Sequence, residues 1–238
     1  QDWGLDSVSQ RIYKAELIGR CDEGCEIRVE YSLGGYIQKP VLRGEALWHV
    51  DGAGKITYST SARVDERLTE LSWNSGKDRV FLPRFGLRFV MPDAEVVSYY
   101  GYGPYESYSD KRRSSHRGLF TTTVDKMFVD YFRPQENGAR YGVARAAVTD
   151  ERGAGLLFTG EPQFSFNASH YDSHEMTAAK HPFELKKHAE TIVNIDYKTS
   201  GVGSNSCGPA LYKPYRLDES EFTFKVDVTP VFLEDWGI

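Results

Sequence analysis

Residues 99–112 read YYGYGPYESYSDKR, and the rest of the chain can be interpreted outward from them. The stretch mixes tyrosines, which offer a flat apolar face with a hydroxyl at the tip, with Gly101, Gly103 and Pro104, which favour special backbone angles. Such a run fits neither a regular helix nor a regular strand, so it predicts an ordered loop. Ordered loops on a rigid scaffold often carry function. The alternative is that the tyrosines pack on one another and close one end of a sheet.

On both sides of this stretch, apolar and polar residues alternate with a period of two. The clearest cases are residues 27–33, 56–64 and 222–228, and this period is typical of half-buried strands. Turn sequences at residues 51–54 and 150–153 predict hairpins. The predicted strands are residues 8–19, 25–33, 45–50, 55–64, 81–91, 94–100, 118–124, 140–149, 155–159, 163–168, 191–197 and 222–228, with Pro230 ending the last one. Residues 69–77 lead to a further turn.

One segment, residues 174–180, has the pattern of a short helix. Asp172 or Ser173 can cap its N-terminus, and Pro182 follows its end. Short strands and turns at close spacing, with only one short helix, predict an all-β sandwich. Because no repeat or low-complexity linker divides the chain, residues 1–238 are expected to form a single β-sandwich domain.

Composition and charge exclude some classes of function. The 238 residues are 40% hydrophobic, which allows a sizeable core, and a net charge of −5 argues against a nucleic-acid partner, since such proteins present a basic surface. The basic run at residues 111–113 is short and predicts a solvated loop. No run approaches the roughly 20 apolar residues of a membrane helix, so no membrane partner is expected. Nothing in the composition distinguishes the cytoplasm from the periplasm.

The cysteines and histidines do not predict a metal site. Cys21, Cys25 and Cys207 are odd in number, which excludes a fully paired disulfide framework, and we expect free thiols. His170 and His174 are four residues apart, but His170 precedes the predicted helix and no H-E-x-x-H pattern follows. We therefore interpret both as ordinary surface or core histidines.

Four carboxylates lie in or near predicted loops: Glu106, Asp110, Glu136 and Glu161. Glycoside hydrolysis needs two carboxyl groups about 5–10 Å apart, on either side of the scissile bond. Nothing in the spacing pairs any two of these four residues. The favoured interpretation is that each caps a turn or binds an arginine.

An ordered set of motifs runs through the second part of the chain. Residues 101–111 follow the pattern G-x-G-P-x-E-x-Y-x-D-[RK], and residues 131–138 follow Y-x-x-P-[SQ]-E-N-G. The other motifs are P-R-[IF]-G-L at residues 83–87, F-x-F-N-x-S-x-Y at 164–171, and N-I-D followed by a Gly- and Ser-rich loop at 194–209. Together they resemble the C-terminal domain of family 2 β-galactosidases, in which that loop is one residue longer. Residues 1–80 match the family only in pattern.

The resemblance implies a fold, a set of shape-holding residues and a truncated chain. The implied fold is the large antiparallel super-sandwich of the galactose mutarotase type. The motif residues expected to hold the shape of the domain are Gly101, Gly103, Pro104, Glu106, Tyr108, Asp110, Glu136, Asn137 and Asn167. The family's C-terminal domain usually begins further upstream, so we expect a piece excised from a longer enzyme and truncated at its N-terminal side.

The resemblance also implies a function. Such enzymes hydrolyse terminal β-D-galactosides with retention, and their catalytic glutamates lie in a central (β/α)₈ barrel, so no catalytic residue is expected here. This domain would instead contribute to the rim of the active site through Asn205, Ser206 and Cys207. Well-known members have Trp at the position of Cys207, and a thiol offers no ring for stacking on the leaving group.

The implied partners are a galactoside substrate, the other domains of the same enzyme and further copies in a homo-oligomer. No cofactor is expected in this chain, since any Mg²⁺ or Na⁺ would belong to the barrel domain. One alternative is a free-standing carbohydrate-binding module that uses the tyrosine-rich loop. A second is an epimerase similar to aldose 1-epimerases, for which His170 and Glu106 are the only candidate acid–base pair.

Overall fold

The computed structural model describes residues 5, 7–21, 24–66, 68, 81–203 and 209–232. The strands are β1 (Ser9–Cys21), β2 (Gly24–Gly34), β3 (Leu42–Asp51), β4 (Ile56–Val64), β5 (Arg84–Met91), β6 (Val96–Gly103), β7 (His116–Thr123), β8 (Arg140–Thr149), β9 (Ala154–Ser169), β10 (Thr191–Thr199) and β11 (Glu221–Phe232). Two α-helices lie wholly within the described residues, α1 (Val124–Met127) and α2 (Ser173–Ala178), and short 3₁₀ turns occur at Pro182–Glu184 and Lys213–Tyr215. The described residues form two compact units, of which the first contains β1–β4 and β11 up to Val228.

The first unit is an antiparallel sheet in the order β1-β2-β3-β4-β11. Tyr31, Gly44, Ala62 and Phe222 are cross-strand partners in one row, and Tyr31, Ala62 and Phe222 are buried. The neighbouring row contains Glu45 and other polar side chains on the opposite face. The alternation seen in the sequence is therefore the alternation between a core face and a polar face.

The second unit is an antiparallel sheet in the order β7-β6-β8-β9-β10-β5. Its core contains large apolar side chains with almost no exposure: Val97, Tyr99, Val143, Val148, Phe158, Phe164, Phe166, Val193 and Ile195. Helix α2 begins after Asp172, whose side chain accepts a hydrogen bond from the backbone N–H of His174 at 2.7 Å. This confirms the predicted cap, and the all-β, antiparallel fold class is confirmed as well.

Part of the opening stretch was wrongly predicted as loop, because Gly101 and Gly103 lie in β6. A Cβ atom on Gly101 would lie 2.7 Å from Cγ2 of Val143 on β8, and one on Gly103 would lie 2.2 Å from the Tyr99 hydroxyl. These glycines therefore make room for neighbouring side chains in a sheet. Their role is close packing and not a chain reversal.

Three smaller predictions were also wrong. β9 is one strand and not two, since it runs without a break from Ala154 to Ser169. Within it, a Cβ atom on Gly160 would lie 2.5 Å from the ring of Phe164. A second helix, α1, is too short to show a helical period and is capped by the Thr123 side chain. β11 continues through Pro230, whose missing N–H breaks no bond to β4, since that ladder ends at Val228. The predicted turn after residues 69–77 lies outside the described residues.

Among the described residues, no helix has both the length and the apolar character that crossing a membrane requires.

Candidate functional site

Side chains from all five motifs meet in one polar network of the second unit. Arg84 lies at the start of β5, Asn167 on β9 and Asp196 on β10. The segment between β6 and β7 supplies Glu106, Tyr108, Asp110 and Lys111, and the segment before β8 supplies Tyr131, Glu136, Asn137 and Gly138. Residues far apart in sequence are thus joined by hydrogen bonds and ion pairs.

Arg84 joins two acidic residues of this network. Its Nε donates to Oδ1 of Asp196 at 3.2 Å, and its Nη2 donates to Oδ2, so the guanidinium and the carboxylate form a two-point contact. Its Nη1 donates to Oε2 of Glu136 at 3.1 Å. Burial acts to lower the pKa of Arg84, but the charges of Asp196 and Glu136 outweigh it, and the pKa is raised. Arg84 is therefore a permanent cation between two carboxylates.

Glu136 is held on both of its oxygens. Besides Arg84 on Oε2, Oε1 accepts from the Tyr108 hydroxyl at 3.3 Å and from Nδ2 of Asn167 at 3.5 Å. Burial raises the pKa of Glu136, and the charge of Asp196 adds to this, while Arg84 acts in the opposite direction. Burial, together with Glu136 and Glu106, also raises the pKa of Tyr108, which stays a neutral hydrogen-bond donor.

Glu106 accepts three hydrogen bonds. Its Oε1 accepts from the Lys111 ammonium and from the Tyr131 hydroxyl, and its Oε2 accepts from the backbone N–H of Gly138 at 2.9 Å. Burial alone would raise the pKa of Glu106, but these hydrogen bonds and the charge of Lys111 outweigh it, and the pKa is lowered. The carboxylate is ionised and bound to the segment before β8.

Asn137 and Gly138 shape the turn that receives Glu106. Oδ1 of the Asn137 side chain accepts from the backbone N–H of Val129 at 2.9 Å, and the backbone carbonyl oxygen of Asn137 accepts from Nδ2 of Asn167 at 2.7 Å. Gly138 has φ +77, and a Cβ atom there would lie 2.6 Å from the carbonyl oxygen of Met127. Only glycine fits this position without strain.

Asp110 connects the network to the loop at residues 201–209. Its Oδ1 accepts from the backbone N–H of Val202 at 3.1 Å, and its Oδ2 accepts from that of Gly203 at 2.8 Å. A Cβ atom on Gly201 would lie 2.4 Å from Cγ of Asp110. The predicted rim residues Asn205, Ser206 and Cys207 follow directly in the chain but lie outside the described residues.

The prediction that each of the four carboxylates caps a turn or binds an arginine is confirmed for Glu136, while Glu106 binds a lysine instead. Glu136 binds Arg84, Glu106 binds Lys111, and Asp110 binds two N–H groups. Glu161 lies exposed on β9.

His170 and His174 are a core and a surface histidine, as predicted. His170 is buried, with Nδ1 3.2 Å from the carbonyl oxygen of Glu190 and Nε2 3.4 Å from Oε2 of Glu95. His174 contributes its backbone N–H to the cap of α2. The His170 ring thus contacts Glu190 and Glu95, with Oδ1 of Asp125 3.8 Å from its Nε2. The contacts of Glu106 are instead Lys111, Tyr131 and Gly138.

Within the part of the chain that the structure describes, no group of three or more His, Cys, Asp or Glu side chains could hold a metal ion, and Cys25 is a free cysteine.

Sequence reasoning missed Arg84, Lys111, Tyr131 and Asp196 as members of the network. The available signal was an arginine and an aspartate next to otherwise apolar strand residues, within the motifs at 83–87 and 194–196. A charged residue in a buried strand needs a partner of opposite charge. The sequence did not show that these two were partners.

The family model for the beta galactosidase small chain matches residues 3–228, and this chain belongs to that family. The beta-galactosidase of Actinobacillus pleuropneumoniae is 36% identical over 229 residues, which are 96% of this chain and 21% of that protein. The beta-galactosidase of Staphylococcus xylosus is 35% identical over 233 residues, which are 95% of this chain and 22% of that protein. The chain therefore spans about a fifth of the length of these curated relatives.

Among solved structures, galactose 1-epimerase from Lactobacillus acidophilus NCFM aligns with 94% of this chain and 66% of its own, at a TM-score of 0.41 and 10% identity.

Proposed function

We propose that this chain is the part of a retaining β-galactosidase that shapes the rim of the active site, while the catalytic glutamates belong to the remainder of the enzyme. The enzyme as a whole, called the parent enzyme below, would hydrolyse terminal β-D-galactosides. Family membership and the share of the relatives that the chain spans support this proposal. The observation that carries it is that both motif glutamates are paired with basic side chains, Glu106 with Lys111 and Glu136 with Arg84.

Retaining hydrolysis requires one carboxylate that attacks the sugar and one carboxyl group that protonates the leaving group, about 5–5.5 Å apart. Glu106 accepts from an ammonium, a phenol and an N–H, so its lone pairs are committed to donors. Glu136 is committed to Arg84, Tyr108 and Asn167. These contacts suit residues that hold loops in place and not residues that react with a substrate.

The proposed contribution to the substrate pocket is the loop at residues 201–209, with Asn205, Ser206 and Cys207 at the rim. With Cys207 in place of an aromatic ring, the leaving group would lose a stacking surface. We therefore propose a weaker preference for leaving groups that stack. The remaining domains of the parent enzyme and further copies of it are the proposed partners, and any metal ion would be bound by those other domains.

The test compares the parent enzyme with its Cys207→Trp variant on lactose and on o-nitrophenyl β-galactoside. Because a new ring would stack on the sugar beyond the scissile bond, kcat/KM should change by different factors for the two substrates. Cys207→Ser, which adds no ring, is the control. Equal factors for both substrates in Cys207→Trp would contradict the rim assignment.

A second experiment addresses the catalytic part of the proposal. The chain alone, mixed with o-nitrophenyl β-galactoside, should release no nitrophenol above the uncatalysed rate. In the parent enzyme, Glu106→Gln and Glu136→Gln should lower thermal stability but retain turnover where the fold survives. Hydrolysis by the isolated chain would refute the proposal.

A further inference from the structure

The start of the 201–209 loop is attached to a single side chain. Both carboxylate oxygens of Asp110 accept backbone N–H groups, from Val202 and Gly203 at 3.1 and 2.8 Å. Gly201 completes the contact, since a Cβ atom there would lie 2.4 Å from Cγ of Asp110 and 2.5 Å from its Oδ2. Hydrogen bonds to an ionised acceptor are about twice as strong as neutral ones. Three consecutive loop residues are thus shaped around one carboxylate.

The turn that carries Asp110 is itself held on both sides. The backbone N–H of Tyr108 donates to the carbonyl oxygen of Lys111 at 2.9 Å, and the N–H of Lys111 donates back at 3.1 Å. The Tyr108 side chain is buried and donates to Glu136, and the Lys111 side chain binds Glu106. Asp110 therefore lies between two residues that are held by other contacts.

We propose that Asp110 is a positioning residue for the parent enzyme, which fixes the first residues of the 201–209 loop and thereby sets the discrimination between leaving groups. This inference rests on the proposed function, because the rim assignment of residues 205–207 comes from there. Glycines at 201 and 203 leave the backbone many conformations, so a fixed path needs an external constraint. In the sequence, Gly203 precedes the proposed rim residue Cys207 by four positions.

The two contacts to the loop require the carboxylate of Asp110 and not merely a side chain of its shape. A carboxylate offers two acceptor oxygens, whereas an amide of the same shape offers one acceptor and one donor. Asp110→Asn would thus place an NH₂ group against one of the two N–H groups with almost no change in volume. The substitution removes one hydrogen bond and leaves one N–H facing a donor, while the rest of the network keeps its contacts.

The experiment compares the parent enzyme with its Asp110→Asn variant. KM for lactose should rise severalfold, because a displaced rim would bind the leaving group less well, while kcat changes less than about twofold. For o-nitrophenyl β-galactoside, KM should change by a different factor. A second variant, Gly201→Ala, disrupts the same contact, because its added Cβ pushes the loop away from Asp110. It should shift the ratio of the two KM values in the same direction.

Asp150 provides a matched control. It lies in the turn between β8 and β9, where its Oδ1 accepts from the backbone N–H groups of Arg152 and Ala154, each at 2.9 Å. Asp150→Ala removes both of these hydrogen bonds from the same unit and should lower Tm without changing the ratio of KM values. If Asp110→Asn lowers only Tm, or if Asp150→Ala shifts the KM ratio equally, the positioning role is wrong.

The rim assignment of Cys207 and the positioning role of Asp110 can fail separately, and the two variants distinguish these failures. A change of selectivity in Cys207→Trp together with no change in Asp110→Asn leaves the rim assignment intact and refutes the anchor. No change of selectivity in either variant refutes both.

Discussion

Glu106 illustrates how one side chain can be ionised in spite of its burial. Its three donors come from Lys111, Tyr131 and Gly138, of which the last is a backbone group in a conformation that favours glycine. The donors outweigh the cost of removing the carboxylate from water, so its pKa lies below the ordinary value of 4.5. The residue therefore links the acidity of the solution to the stability of the fold.

We expect Glu106→Gln to reduce the free energy of unfolding at pH 7 by about 2 kcal/mol, since it weakens hydrogen bonds to a charged group. A folded pKa below the unfolded one means that this stabilisation is complete above the unfolded pKa and is lost as the pH falls through the folded pKa. The difference between wild type and variant should therefore shrink in acid. Urea unfolding, followed by circular dichroism at pH 7 and near pH 3, measures it.

A stability difference that stays constant between the two pH values would show that the charge of Glu106 plays no part. Glu136→Gln serves as a comparison, because burial raises the pKa of Glu136. A raised pKa means that ionisation opposes folding as the pH rises, so its contribution to pH dependence has the opposite sign.

At the scale of elements, the second unit contains β5, which pairs with β10 over Arg84–Met91. Arg84 and Arg88 lie on this same strand, but their environments differ. Arg84 is partly buried, at 27% exposure, between Glu136 and the buried Asp196, while Arg88, at 43% exposure, makes a more exposed pair with Asp172. The strand thus offers an internal comparison of a buried ion pair with a surface one.

We expect Arg84→Ala to cost about 3–5 kcal/mol, because it leaves two carboxylates without their cation in a buried setting. Arg88→Ala should cost less than about 1 kcal/mol, as for most surface ion pairs. Chemical denaturation of the three proteins at pH 7 gives both values. Similar losses in the two variants would indicate that the Arg84 network adds little beyond a surface pair.

Most strands could be predicted from the sequence, because a period of two is a local property. Residues 25–33 and 55–64 were found in this way without knowledge of their partners. Gly101 was wrongly assigned to a loop because the reason for this glycine is not local: it leaves space for the side chain of Val143 across the sheet. A packing constraint of this kind becomes visible only when both residues are placed.

At the scale of the whole molecule, the motifs predicted the family, and the match over residues 3–228 confirms it. The contacts within the site were not predictable, since spacing along the chain does not show that Arg84 lies between Glu136 and Asp196. The attachment of Asp110 to Gly203 was likewise invisible, because the two residues are 93 positions apart. The motifs indicated which residues matter and left open which of them touch.

The tyrosine-rich stretch bears on the alternative of a free-standing carbohydrate-binding module. Tyr99 and Tyr108 are buried, so neither ring is open to a sugar, while Tyr105 and Tyr100 are 64% and 36% exposed. We expect isothermal titration of the isolated chain with galactose or lactose to give no binding heat at millimolar sugar. The physical reason is that stacking needs open ring faces, which only part of this stretch provides.

A saturable heat in that titration, abolished by Tyr105→Ala, would favour the binding module over the rim proposal. Tyr36→Ala, which removes an exposed tyrosine in the first unit, is the matched control. Optical rotation of fresh α-galactose with the chain added tests the epimerase alternative in the same samples.

β9 has a further consequence for how the second unit opens. Around Phe166 the strand is bonded on both edges, to Arg140 of β8 on one side and to Ile195 of β10 on the other. Its backbone amides cannot reach solvent by fraying of an edge or by movement of a loop. Exchange of these amide protons with deuterium therefore has to wait for cooperative opening of the surrounding sheet. The exchange rate of the amide protons near Phe166 therefore measures that opening in the protein without any substitution.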